Sequence, residues 1–180
     1  TQCQCTAVEP SDGMRRLVTG ATAVRPIAGT AEHLPLPSGM FDFVFCVDVA
    51  HHLVDPAEAF RVLKPAGEIC VVTDSEEMIR NRFPLAEYFP ETVHADLARY
   101  PAIGHLRELA DLAGFRVWRQ TETTTRRLLS SVEAYEAKAF SVLHLISSSS
   151  FDVGLARLRA DLTRGPLVAV ARYALLWASK

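Results

Sequence analysis

Short apolar runs alternate with helical spacings along the first half of the chain. Cys5-Thr6-Ala7-Val8 is a β-prone run closed by Glu9-Pro10. Ser11 then reads as a helix N-cap, with Asp12 in the first turn and Met14, Leu17 and Val18 at helical spacing. Val24–Ala28 predicts a second short strand. The unbroken aromatic and β-branched run Phe41–Val47 predicts a strand buried on both faces. Asp55-Pro56-Ala57-Glu58 is a helix start, with an acid as N-cap and proline at the first helical position. Lys64-Pro65 halts that helix, Ala66-Gly67 turns the chain, and Glu68–Thr73 is the next buried strand. Strand, helix and strand at this spacing imply parallel pairing with a right-handed crossover.

The second half is less regular. Prolines 84, 90 and 101 and the aromatics Phe83, Tyr88, Phe89 and Tyr100 fill a segment that reads either as substrate-facing or as a loop packed on its own small core. Ile103, Leu106, Leu109, Ala110 and Ala113 give a helix ending at Gly114, and Phe115–Trp118 restarts a strand. A helical region is expected from Val132 to Leu145. Phe151, Leu155, Leu158 and Leu162 then share one face of a firmer helix that stops at Gly165-Pro166, and Leu167–Trp177 is a final strand. The expectation is one α/β domain over residues 1–180, a Rossmann-like open, mostly parallel sheet with helices on both faces and its last strand antiparallel. Residues 74–101 and 124–150 are expected as lid or substrate-facing insertions.

Composition narrows the classes. At 180 residues and 49% hydrophobic, the chain has enough apolar surface to order itself. A formal charge of −2 gives no footprint for nucleic acid or an anionic membrane, and no apolar stretch is long enough for a membrane span. No secretion signal opens the chain, so the cytoplasm is expected. Cys3 and Cys5 form a C-x-C pair without a matching second pair, and Cys46 and Cys70 sit in apolar runs. Buried small hydrophobes in a reducing compartment are the expected state, with no metal site. Oligomeric state is open.

In an open parallel sheet, ligands sit beyond the carboxyl ends of the strands. That singles out Glu9-Pro10-Ser11, Gly29-Thr30-Ala31-Glu32, Cys46-Val47-Asp48 and Thr73-Asp74-Ser75. Glu9 suits either a ribose diol or the N-terminal dipole of the following helix. The stretch Gly29–Val44, the run Val49-Ala50-His51-His52-Leu53-Val54-Asp55-Pro56 and Arg61-Val62-Leu63-Lys64-Pro65-Ala66-Gly67 together resemble class I S-adenosylmethionine-dependent methyltransferases. The small-molecule enzymes related to ubiquinone and menaquinone synthesis are the nearest subgroup, and the resemblance runs from about Val8 to Phe115.

What the resemblance implies is specific. Glu9 would take the ribose hydroxyls of the cofactor, S-adenosyl-L-methionine. Pro10, Ser11 and Met14 would line the adenine side, and Thr30, Ala31 and Glu32 would meet the adenine edge. Cys46 and Val47 would pass under the methionine part. Asp48, His51 and His52 would face the methyl group or a small-molecule acceptor, with Tyr88 and Tyr100 also on the substrate side. His51 is the candidate general base, against a packing or plain hydrogen-bonding role. Arg80 and Arg82 read as contacts to an acidic substrate group or as solvated surface residues.

The family carries a glycine-rich loop after its first strand, and no G-x-G occurs here. That first strand would lie between the strand ending at Val8 and Phe41–Val47, so these are expected to be left unjoined and the chain to be shorter than the working protein. About one helical turn is also short at Phe60-Arg61. A non-catalytic methyltransferase-like binding module is the alternative. A nicotinamide-dependent reductase would share the sheet but needs a Tyr-x-x-x-Lys or comparable set that the chain lacks.

Overall fold

The computed structural model describes residues 4–18, 23–52 and 54–180; Cys3 lies outside them. β1 (Cys5–Val8) leads to α1 (Asp12–Leu17), where the Ser11 side chain accepts from the Met14 N–H as an N-cap should. β2 (Val24–Ile27) pairs with β1 in parallel, Val8 opposite Ile27. β3 (Phe41–Val47) is followed by α2 (Ala57–Val62) and β4 (Leu63–Thr73), and β3 and β4 are parallel. α2 starts one residue later than the sequence predicts, with Asp55 accepting from the Ala57 N–H at 2.8 Å. The turn predicted at Ala66-Gly67 is a bulge inside β4. Ala66 takes φ 63°, and the ladder jumps from Phe41 opposite Leu63 to Phe43 opposite Glu68.

Helices α3 (Glu76–Arg80), α4 (Leu85–Tyr88), α5 (Glu91–Arg99) and α6 (Ile103–Ala113) follow. Gly114 closes α6 at φ 106°, and a Cβ there would meet the Phe60 ring at 2.9 Å, so both conformation and space require glycine. β5 (Arg116–Leu129), α7 (Glu133–Glu136), α8 (Ser148–Leu162) and β6 (Leu167–Ser179) complete the chain. The segment 124–150 therefore begins inside a long strand. The helix expected over residues 132–145 is α7 and a 3₁₀ turn at Ser141–His144 instead, because Lys138 takes the left-handed φ of 47° between them.

Two sheets result, β1-β2 and β3-β4-β6-β5, with β6 antiparallel to both its neighbours. The strands expected to be left unjoined accordingly stand in separate sheets among the described residues. One consequence differs from expectation. β3 is not buried on both faces: Phe43, Phe45 and Val47 are 52%, 59% and 55% exposed, while Cys46 is buried. Cys46, Ile69, Val71, Leu106, Ala110, Phe115 and Leu176 form the sheet core under α2 and α6. A second core belongs to the cap, where Leu85, Tyr88, Phe89, Tyr135, Leu143, Phe151 and Leu158 pack together. No helix of the described residues is long and apolar enough to cross a membrane.

Candidate functional site at the carboxyl ends of the strands

Parallel pairing of β1 and β2 brings their carboxyl ends side by side, and the Glu9 N–H donates to the Ile27 carbonyl at 3.1 Å. One Glu9 carboxylate oxygen accepts from the Ser11 N–H at 2.8 Å, which turns the chain into α1 and leaves the other oxygen without a donor among the described residues. Beyond β2, Thr30 and His33 form a bridge, the His33 N–H donating to the Thr30 carbonyl at 3.2 Å, so Ala31 and Glu32 are the tip of a tight turn. A Cβ on Gly29 would lie 2.7 Å from Pro35 and 2.9 Å from Val8. The loop after Thr30 is therefore pressed onto the end of β1, beside Glu9. Pro10, Ser11 and Met14 are exposed next to it.

The other half of the site stands on β3 and β4. Val47 is exposed, and Asp48 follows it in the left-handed region at φ 54°, a conformation aspartate tolerates, with its N–H donating to the Val72 carbonyl at 3.1 Å. Among the described residues no hydrogen bond joins Val47 or Asp48 to Glu9 or Thr30. Cys46 faces the sheet core, where burial, and secondarily Cys70, push its thiol up to about 11, so only its backbone is available to a ligand. Both Cys46 and Cys70 are free and buried, and Cys5 is free and exposed.

His51 and His52 lie in a 3₁₀ turn, ring centroids 4.0 Å apart, and the Tyr100 ring stands 4.8 Å from His51. His51 Nδ1 is buried without a hydrogen-bond partner among the described residues. Burial, then the charges of His52 and Arg99, hold the His51 imidazole below its ordinary value, opposed by Asp96. The Thr73 hydroxyl, at the end of β4, is likewise buried and unpartnered.

Around this pair is a polar network that the sequence did not disclose. Asp74, 4% exposed, and Asp96, 2% exposed, share Arg82. Arg82 bonds Asp74 closely and reaches Asp96 at 3.1 Å, and Arg99 donates to Asp96 at 2.8 Å. Arg82 is therefore neither a solvated surface residue nor a free cation, whereas Arg80 is exposed. Burial pushes the Asp74 carboxyl up to about 6 against the pull of Arg82. Burial also raises Asp48, again opposed by Arg82, and raises the phenols of Tyr100 and Tyr173, with the Asp48 charge the next cause for both. Asp48, Asp74, Arg82, Tyr100 and Tyr173 thus share one field.

Tyr88 is elsewhere. It is 4% exposed in the cap core and its hydroxyl donates to Asp161 at 2.8 Å, so the structure does not bring it to His51 and Tyr100. Phe83 and Phe89 belong to the same cap cluster. Among the described residues no three histidine, cysteine or acidic side chains are grouped to hold a metal ion.

The sequence profile of a methyltransferase domain matches residues 1–71. No curated protein sequence matches the chain. Among solved structures, a proposed methyltransferase from an antibiotic biosynthesis pathway of Anabaena variabilis is 22% identical. It aligns with 97% of this chain and 81% of its own, at a TM-score of 0.69. A proposed methyltransferase of Bacillus halodurans is 16% identical over 97% of this chain and 82% of its own, TM-score 0.59. Phosphoethanolamine N-methyltransferase 2 of Haemonchus contortus is 18% identical over 99% of this chain and 44% of its own, TM-score 0.53. The chain thus resembles the class I S-adenosylmethionine-dependent methyltransferases, with their methyltransferase domain matched over residues 1–71 and their Rossmann-like fold along almost its whole length.

Proposed function

We propose that the protein transfers a methyl group from S-adenosylmethionine to an oxygen, nitrogen or carbon atom of a small molecule. The observation that carries this reading is the methyltransferase-domain match over the residues that form the β1-β2 half of the site and the first strands of the larger sheet. The Haemonchus enzyme is a complex with phosphomonomethylethanolamine and S-adenosylhomocysteine, which supports the same cofactor here.

The residues present suit the adenosyl part. Among the described residues one Glu9 carboxylate oxygen has no donor, as acceptance of a ribose hydroxyl requires. Pro10 and Met14 offer apolar contact, and the Thr30–Glu32 turn offers an edge for the adenine. When bound, the sulfonium supplies an already activated methyl group, so the protein's task is alignment and exclusion of water. On the acceptor side, His51, whose imidazole is held below its ordinary value, takes the proton that a hydroxyl or ammonium acceptor must lose. Asp48, His52 and Tyr100 contact the acceptor. The Asp74–Arg82–Asp96–Arg99 network holds α5, and with it Tyr100, against the ends of β3 and β4.

Two measurements test this. Calorimetry with S-adenosylhomocysteine shows binding that falls at least tenfold in Glu9→Ala; unchanged affinity removes the ribose role. With an acceptor in hand, the rate rises with pH around a midpoint below histidine's ordinary 6.5, and the rise vanishes in His51→Gln. A profile that survives this substitution removes His51 as base.

A further inference from the structure

The two halves of the proposed site stand on different sheets, and what joins them is narrow. Among the described residues, the end of the loop is tied to α2 by backbone, Gly39 N–H donating to the Arg61 carbonyl at 3.0 Å and Met40 N–H to the Val62 carbonyl at 2.8 Å, and upstream of Gly39 every hydrogen bond to residues beyond 40 is made by the side chain of Glu58 or Arg61. Glu58 Oε2 accepts from the Leu34 N–H at 2.9 Å. Arg61 donates to the Leu34 carbonyl at 3.0 Å, the Leu36 carbonyl at 2.8 Å and the Ser38 hydroxyl at 3.2 Å. Its guanidinium also donates to Glu58 Oε2 at 2.7 Å. Both polar backbone groups of Leu34 are therefore held by one ion pair on α2.

We infer that Glu58 and Arg61 are positioning residues that set the Thr30–Glu32 edge and Glu9 against the ends of β3 and β4. The inference rests on the proposed cofactor role of those residues. An exposed i,i+3 ion pair on a helix serves that helix by a few tenths of a kcal/mol at most. Here the pair's remaining valences go to backbone 24 to 27 residues away. The loop it grips contains Pro35 and Pro37 and no regular structure. Its grip is passed on by contact, since Pro35 and Val8 both crowd the point where a Cβ on Gly29 would stand, and Val8 precedes Glu9. The grip needs a planar fork. A lysine ammonium in place of Arg61 is a single point charge and cannot serve the Leu34 and Leu36 carbonyls and Glu58 together. Hydrogen bonding to Arg61 holds the Glu58 carboxyl down at about 2, so the pair stays charged through the physiological range.

The test compares wild-type, Arg61→Lys, Glu58→Gln, their combination and Glu9→Ala for S-adenosylhomocysteine affinity and for melting temperature. The account expects Arg61→Lys to weaken binding about tenfold, since small misplacement of a binding edge is costly. Glu58→Gln keeps an acceptor for Leu34 and should weaken binding about threefold, and the double variant should match Arg61→Lys alone, the mark of one device. In turnover, KM for the cofactor rises while kcat at saturation holds within about twofold. Wild-type affinity in Arg61→Lys while Glu9→Ala loses binding overturns the positioning role and leaves the proposed function intact. So does a lower melting temperature without lost affinity. A wild-type protein that does not bind, or binding indifferent to Glu9→Ala, overturns both.

Discussion

Arg82 at the proposed acceptor end and Arg61 at the proposed cofactor end each bridge segments distant in sequence, but in opposite surroundings. Arg82 lies between two carboxylates that are almost fully buried. Arg61 and Glu58 keep 34% and 24% of their side chains in contact with water, and much of their bonding goes to backbone carbonyls and an amide. A buried pair that loses one member strands a charge in low dielectric, whereas an exposed pair that loses one member is rescued by solvent. The comparison separates rigidity from alignment: the acceptor end is tied into the stability of the fold, the cofactor end into the placement of a loop.

The largest effect is therefore expected at Arg82. Arg82→Ala leaves Asp74 and Asp96 without their shared cation and should cost about 3 kcal/mol in urea unfolding. Loss below about 1 kcal/mol would mean that the network is solvated. Next comes the cap core. A Cβ on Gly154 would lie 2.2 Å from the Tyr88 carbonyl oxygen and 2.6 Å from the Phe89 ring, contacts with backbone and core that cannot give way. Gly154→Ala should cost about 2 kcal/mol by the same measurement. Arg61→Lys sits lower, at under about 1 kcal/mol, because a half-buried ion pair that solvent still reaches contributes little to stability even where it governs geometry.

The smallest effects are in pH. Asp74, raised from 3.8 to about 6, binds its proton more tightly folded than unfolded, so it lowers stability as pH rises through that window. Glu58, lowered from 4.5 to about 2, contributes stability above 4.5 that is lost as pH falls toward 2. Melting curves of Asp74→Asn should flatten the first dependence and those of Glu58→Gln the second. A dependence unmoved by either substitution assigns it to other groups.

Much of the scaffold was legible because local rules carried it: the Ser11 cap, the β3–β4 crossover, the Gly114 stop and the Phe151–Leu158 face all rest on short-range patterns. So was the split of the sheet, because strand order follows from the family resemblance. β3 was misread because an apolar run reports only what its side chains could bury, and the Phe43–Phe45 face is open to solvent. The cap aromatics were ambiguous for the same reason, with Phe89 and Tyr88 choosing a core and Tyr100 choosing His51. The site's ion network was hidden because Asp74, Arg82 and Asp96 meet only after α3 and α5 fold back over β4. Glu58 and Arg61 look like an ordinary helix-surface pair until the loop is seen beneath them.

The central claim is that Glu9, Thr30 and Val47 serve one adenosyl pocket across two sheets. A crystal structure of the protein with S-adenosylhomocysteine tests it most directly. The account predicts density for the ribose diol at the Glu9 carboxylate, the adenine along Thr30–Glu32 and the amino-acid end toward Val47 and Asp48. A ligand held anywhere else, with Glu9 and Thr30 untouched, would contradict it.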